Sequence, residues 1–134
     1  MKVAVRSEVL CNANESCCSV YICSDSIEKL KSETKGCCSK ISILNNFLKL
    51  AKKNKNKITK FNSFDNEQEK HFVFGFINEK NNLNVLYEKL RKIAGDVFAY
   101  CRSNKIKNVC FDPYFISTYN YKTSEVEKII ETII

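Results

Sequence analysis

Residues 70–113 constrain this chain more than any other stretch. An apolar run, KHFVFGFI, leads into an amphipathic segment, NNLNVLYEKLRKIAGDVFAYCRSN, and then into a second short apolar run, KNVCFDP, with almost no spare loop. A strand, a crossover helix of about twenty residues and another strand close as a βαβ unit with parallel strands. The fold class is therefore α/β. In the helix, Leu83, Leu86, Leu90, Ile93, Ala94, Val97, Phe98 and Cys101 make one stripe, and Glu88, Lys89, Arg91, Lys92 and Asp96 fall off it. Gly95 interrupts the helix, which predicts close packing of a neighbour there, and Gly75 in the preceding strand predicts a close backbone approach.

The flanking segments follow the same periodicity rules. Residues 2–10 alternate, with Val3, Val5 and Val9 on one face, and read as a half-exposed strand. Residues 17–23, CCSVYIC, are nearly continuous in apolar and small side chains, as in a strand covered on both faces. Ser26 is placed to cap a short helix over residues 27–34 that Gly36 ends. Ile41, Leu44, Phe47, Leu48 and Ala51 recur at helical spacing and predict a helix over residues 39–53. Residues 57–64 read as a weaker edge strand, joined by a polar turn in a hairpin to a central strand over residues 72–77. After Pro113 an aromatic loop containing Tyr114, Phe115, Tyr119 and Tyr121 precedes a terminal helix, where Ser124 and Glu127 have capping-box spacing. The apolar face of that helix, Val126, Ile129, Ile130, Ile133 and Ile134, runs to the last residue, from which we expect the polypeptide to continue and this face to associate or pack back.

One hundred and thirty-four residues suit a single domain, 1–134. Eight cysteines would argue for disulfides in a secreted chain, but Arg6 and Glu8 interrupt any apolar signal core and no run approaches a membrane span. A cytoplasmic location, with reduced thiols, is the expectation. Cys17, Cys18, Cys23, Cys101 and Cys110 sit in apolar runs as small buried hydrophobes; the adjacent pairs Cys17-Cys18 and Cys37-Cys38 lack the two- to four-residue gap of zinc sites. His71, the only histidine, reads as a strand-end or packing residue, which leaves a thiol enzyme without a base partner.

The net charge of +7 concentrates in Lys49, Lys52, Lys53, Lys55, Lys57 and Lys60, six positives in twelve residues. Such a run is most simply a solvated helix end and loop; its functional alternative is contact with nucleic acid, where lysines release counterions and nearby aromatics stack bases. A freestanding ligand-binding module of the macro type would need Gly-rich loops against a diphosphate, and Gly36, Gly75 and Gly95 are isolated.

The order of elements, with the segments KHFVFGF, LRKIAGDVFAYC, KNVCFDP and the terminal SEVEKIIETII, resembles the N-terminal domain of the leucine (cytosol) aminopeptidases, hexameric two-zinc exopeptidases. That resemblance implies a three-layer, macro-domain-like, mixed and mostly parallel sheet flanked by helices. It also implies a non-catalytic, architectural role beside a catalytic domain of the same polypeptide and neighbouring subunits of a homo-hexamer, with no membrane partner. The family's signature Asn-Thr-Asp-Ala-Glu-Gly-Arg does not occur here, so no catalytic, cofactor-binding or metal residue carries over. Zinc or manganese is expected only in the catalytic domain, to polarise the peptide carbonyl and activate water.

Overall fold

The computed structural model describes residues 2–5, 16–28, 30, 41–54, 57–65, 68–78, 82–117 and 121–133. Five strands form one mixed sheet: β1 (Lys2–Val5), β2 (Cys17–Ser24), β3 (Thr59–Asp65), β4 (Gln68–Ile77) and β5 (Asn108–Asp112), in the order β1-β5-β2-β4-β3. The β1–β5, β5–β2 and β2–β4 pairs are parallel and β3 runs antiparallel to β4. Among the described residues three α-helices accompany them: α1 (Ile41–Ala51), extended by a 3₁₀ turn over Lys52–Asn54, α2 (Leu83–Ser103) and α3 (Thr123–Ile133).

The α/β class is as expected, and so are the edge position of β3 and its hairpin with β4. The βαβ expectation holds as a parallel crossover, β4 to β5 through α2, with one strand inserted. β4 and β5 are parallel but not neighbours, because β2 stands between them. All eight residues of β2 are buried, and a strand this apolar is stable only with ladder partners on both edges and cover on both faces.

Two apolar cores lie on opposite faces of the sheet. On one, Cys18, Val20, Ile22, Val73, Ile77, Val109 and Phe111 meet the α2 stripe from Leu86 to Cys101 and Ile129 of α3. On the other, Tyr21, Cys23, Phe72, Phe74 and Phe76 meet Leu44, Leu48 and Ala51 of α1, with Ile27 and Leu30. The alternation along β4 assigns Phe72, Phe74 and Phe76 to the α1 face and His71, Val73, Gly75 and Ile77 to the α2 face. A side chain at Gly75 would begin only 3.1 Å from Ile93 Cδ1, so the expected close approach is there. Gly95 is the opposite case: it is exposed on α2 and a Cβ would meet nothing within 4 Å, so it marks no packing contact.

Helix ends explain further departures. The Asn82 side chain accepts from Val85 N–H at 2.9 Å and starts α2. At its other end Lys105, at φ 54°, takes the left-handed position of a Schellman turn, in which Ile106 N–H donates to the Cys101 carbonyl and Lys105 N–H to that of Arg102. Helix α3 begins one residue before Ser124, and its N-terminal bond is from Lys122 N–H to Glu125 Oε1 at 3.0 Å, so the capping carboxylate is Glu125 and not Glu127. Ile129 is fully buried against α2, so the terminal helix packs back on the domain.

Residues 27, 28 and 30 of the helix expected after Ser26 are not helical. Leu30 N–H donates to Asn45 Oδ1 of α1 at 2.8 Å, and Ile27 and Leu30 are buried under α1, which holds this segment off a helical path. The rest of that expectation, and residues 6–10 of the first strand, lie outside the described residues. The loop after Pro113 opens as a 3₁₀ turn, Tyr114–Ser117, with Phe115 fully buried; Tyr119 is outside the described residues.

Candidate functional site, a basic groove beside an aromatic and histidine pair

The run of six lysines does not form one patch. Lys49 lies in the last turn of α1 and Lys52 and Lys53 follow in the 3₁₀ turn, beside the core that holds Phe72 and Phe74. Lys57 and Lys60 belong to the approach to β3 and to β3 itself, and Lys60 pairs in register with Val73, on the α2 face. The sheet thus separates the two halves of the run, and Lys55 lies outside the described residues.

On the α2 face, β3 and the flank of α2 enclose a surface groove of about 950 Å³. Its floor is apolar, with Ile58, Gly75 and Ile93. One wall carries Lys57 and Lys60, and the other, from α2, carries Lys89, Lys92, Asp96 and Tyr100. Glu88 also reaches it but is held by Arg91 at 2.7 Å. The groove lies where β3 extends the sheet beside α2.

At one end Lys60 Nζ stands 5.2 Å from the centroid of the Tyr100 ring. The Tyr100 hydroxyl lies 2.6 Å from His71 Nδ1, and His71 Nε2 faces Glu69 Oε1 at 3.6 Å. Burial pushes the Tyr100 phenol up to about 12, so it stays protonated and donates to Nδ1, which leaves the imidazole proton on Nε2 toward Glu69. Burial also lowers the His71 pKa, with the Glu69 carboxylate opposing. His71 is the fourth residue of β4, only 4% exposed, and it anchors the Tyr100 ring that lines the groove. Both rings are therefore held in place, which fits a packing role for His71 and gives the groove one fixed aromatic face.

Beneath Tyr100, Cys18 and Cys101 share a hydrogen bond, and that bond and burial together push the Cys18 thiol well up. Cys23 is also raised, by burial first. Cys18, Cys23, Cys101 and Cys110 are buried thiols outside any disulfide, as expected. Cys17, at the first position of β2, is disulfide-bonded and so does not belong with them; the spacing of cysteines cannot report which segment tertiary packing brings alongside. Among the described residues, no group of three or more His, Cys, Asp or Glu side chains is arranged to hold a metal ion. No helix among them is long and apolar enough to cross a membrane.

The α2 contribution escaped the sequence analysis, where Lys89, Lys92 and Asp96 were assigned only to the face off the apolar stripe. A signal was present: Lys89, Lys92, Asp96, Tyr100 and Ser103 are spaced by three and four and form a single polar ridge bordering that stripe. The chain matches no protein-family model, no curated protein and no solved structure.

Proposed function

We propose that this chain is the non-catalytic N-terminal domain of a leucine-type aminopeptidase, a macro-like layered domain with an architectural role. The observation that carries this is the sheet. Four mutually parallel strands end in an antiparallel edge hairpin, with α1 against one face and α2 and α3 against the other. A mixed α/β sheet with helices on both faces supports the reading, which rests on the resemblance of the segments KHFVFGF, LRKIAGDVFAYC, KNVCFDP and SEVEKIIETII. A fold of itself assigns no chemistry, so the role lies in holding a catalytic domain of the same polypeptide and the subunits of a cytoplasmic homo-hexamer. Peptide hydrolysis belongs to that other domain, whose two zinc or manganese ions polarise the carbonyl and supply hydroxide; no step passes through residues of this chain.

The test is the mass of the native protein in its source cells, by immunoblot with an antibody raised to this chain. A band several times heavier than 15.5 kDa, coupled with chelator-sensitive hydrolysis of leucyl substrates by the immunoprecipitate, is the expected result. A single band at 15.5 kDa, or a heavier protein without aminopeptidase activity, overturns the proposal.

A further inference from the structure

We propose that the groove between β3 and α2 binds single-stranded nucleic acid, its lysines neutralising phosphates and Tyr100 stacking a base. The proposal does not depend on the aminopeptidase role, since the groove uses no feature of that assignment. Lys57 and Lys60 approach from the sheet, Lys89 and Lys92 from the helix, and among the described residues none of the four has an ion pair. Four ammonium groups on two facing walls leave the groove net positive even with Glu88 and Asp96 counted, and Glu88 is already held by Arg91. A lysine-walled groove that tracks a backbone, with an aromatic face on which a base can stack, is the chemistry of single-strand recognition. Tyr100 provides that face in a fixed pose, because its hydroxyl is bonded to buried His71; Lys60 Nζ now stands over the ring, 5.2 Å from its centroid, so a stacking base takes the place of the flexible ammonium and turns it toward the adjoining phosphate.

Length selects a strand over a mononucleotide. Lys92 and Lys89 precede Tyr100 by two and three turns of α2, which puts them about 12 and 16 Å from it along the helix axis. At about 3.4 Å per stacked nucleotide a ligand needs roughly four nucleotides to reach from ring to ammonium groups. The groove runs from Val85 to Ser103, about 27 Å by the same rise. A duplex would hide its base faces from Tyr100, and an acidic peptide would leave that ring without a stacking partner. Asp96, between Lys92 and Tyr100 on the helix, is an acceptor placed for base amino groups or sugar hydroxyls.

The experiment is fluorescence anisotropy of a labelled oligothymidylate of about a dozen nucleotides, titrated with the full chain at several salt concentrations. Four neutralised phosphates predict that the logarithm of the binding constant falls against the logarithm of salt with a slope of about −3, a loss of roughly fiftyfold between about 50 and 200 mM. Lys57→Ala and Lys92→Ala should each flatten that slope by about 0.7. Tyr100→Ala should weaken binding about tenfold without changing the slope, and Tyr100→Phe, which keeps the ring, should retain affinity. The triple variant Lys49→Ala, Lys52→Ala, Lys53→Ala, on the other side of the sheet, should bind as the parent does. No binding at about 50 mM salt overturns the proposal. So does a triple variant as impaired as the groove variants, a slope that groove substitutions leave unchanged, or tighter binding of an oligoglutamate peptide than of the oligonucleotide.

Discussion

Replacing Gly75 with valine should destabilise the fold, and the structure indicates by how much and through which neighbour. The first added atom already lies 3.1 Å from Ile93 Cδ1, with Ile93 Cγ2 at 3.4 Å and Cγ1 at 3.5 Å. A valine adds two more methyl groups in the same direction, toward a helix whose Leu90, Ala94 and Val97 are buried on the sheet. Overpacking of this kind costs about 1–3 kcal/mol, partly offset by the roughly 0.5–1 kcal/mol that a residue other than glycine returns in a strand interior. The net expectation is a loss of about 1–2 kcal/mol. Ile93→Val alone removes Cδ1, the nearest atom, and should cost about 0.5–1.5 kcal/mol. In the double variant the two changes relieve each other, so its loss should fall short of the sum by at least about 0.5 kcal/mol, as expected for residues in contact. Urea denaturation of the four proteins, read by circular dichroism and compared by midpoint at constant m-value, measures the cycle. Additive losses, or a Gly75→Val protein as stable as the parent, would refute the claim that Gly75 is present to admit Ile93.

The other described glycine predicts the opposite sign. Gly95 is helical, exposed and free of neighbours, so Gly95→Ala should stabilise the protein by about 1 kcal/mol, seen as a higher urea midpoint; a lower midpoint would mean that α2 packs here after all. For His71, burial lowers the folded pKa below that of the unfolded chain, near 6.5. The unfolded state then binds the proton first, so stability is fully present above pH of about 6.5, falls as pH drops through the interval down to the folded pKa, and stops changing below it. Since His71 is the only histidine, His71→Gln should remove most of that dependence in the interval below about pH 6.5. Urea midpoints taken across the range would show it, and a variant with the parent's slope would place the proton elsewhere.

How much of this protein was legible in its sequence depends on whether a feature is encoded along the chain or between segments. Periodicity gave the fully covered strand at residues 17–23, the α2 stripe and the hairpin of β3 and β4, because a side chain's face within a strand or helix follows from its spacing alone. The same logic found Gly75, since a glycine inside an otherwise apolar strand has few other uses. It failed at Gly95, where an identical residue on a solvent-facing position carries no contact. Local pattern also could not say that β2 would separate β4 from β5, or that Ile27 and Leu30 would be drawn under α1 instead of forming a helix.

The candidate site divides in the same way. The lysine run was visible as charge, yet only the sheet, passing between Lys53 and Lys60 in space, decides that Lys57 and Lys60 face α2 while Lys49, Lys52 and Lys53 do not. Lys89, Lys92 and Tyr100 join them from 29 or more residues away, and the bond from Tyr100 to His71 spans 29 positions. The sequence by itself determined the α/β class, the elements and the buried face of each, because these follow from local spacing and side-chain solubility. Tertiary structure alone decided strand order, the sides of the sheet on which charges collect and the groove itself, because each depends on which distant segment is brought alongside.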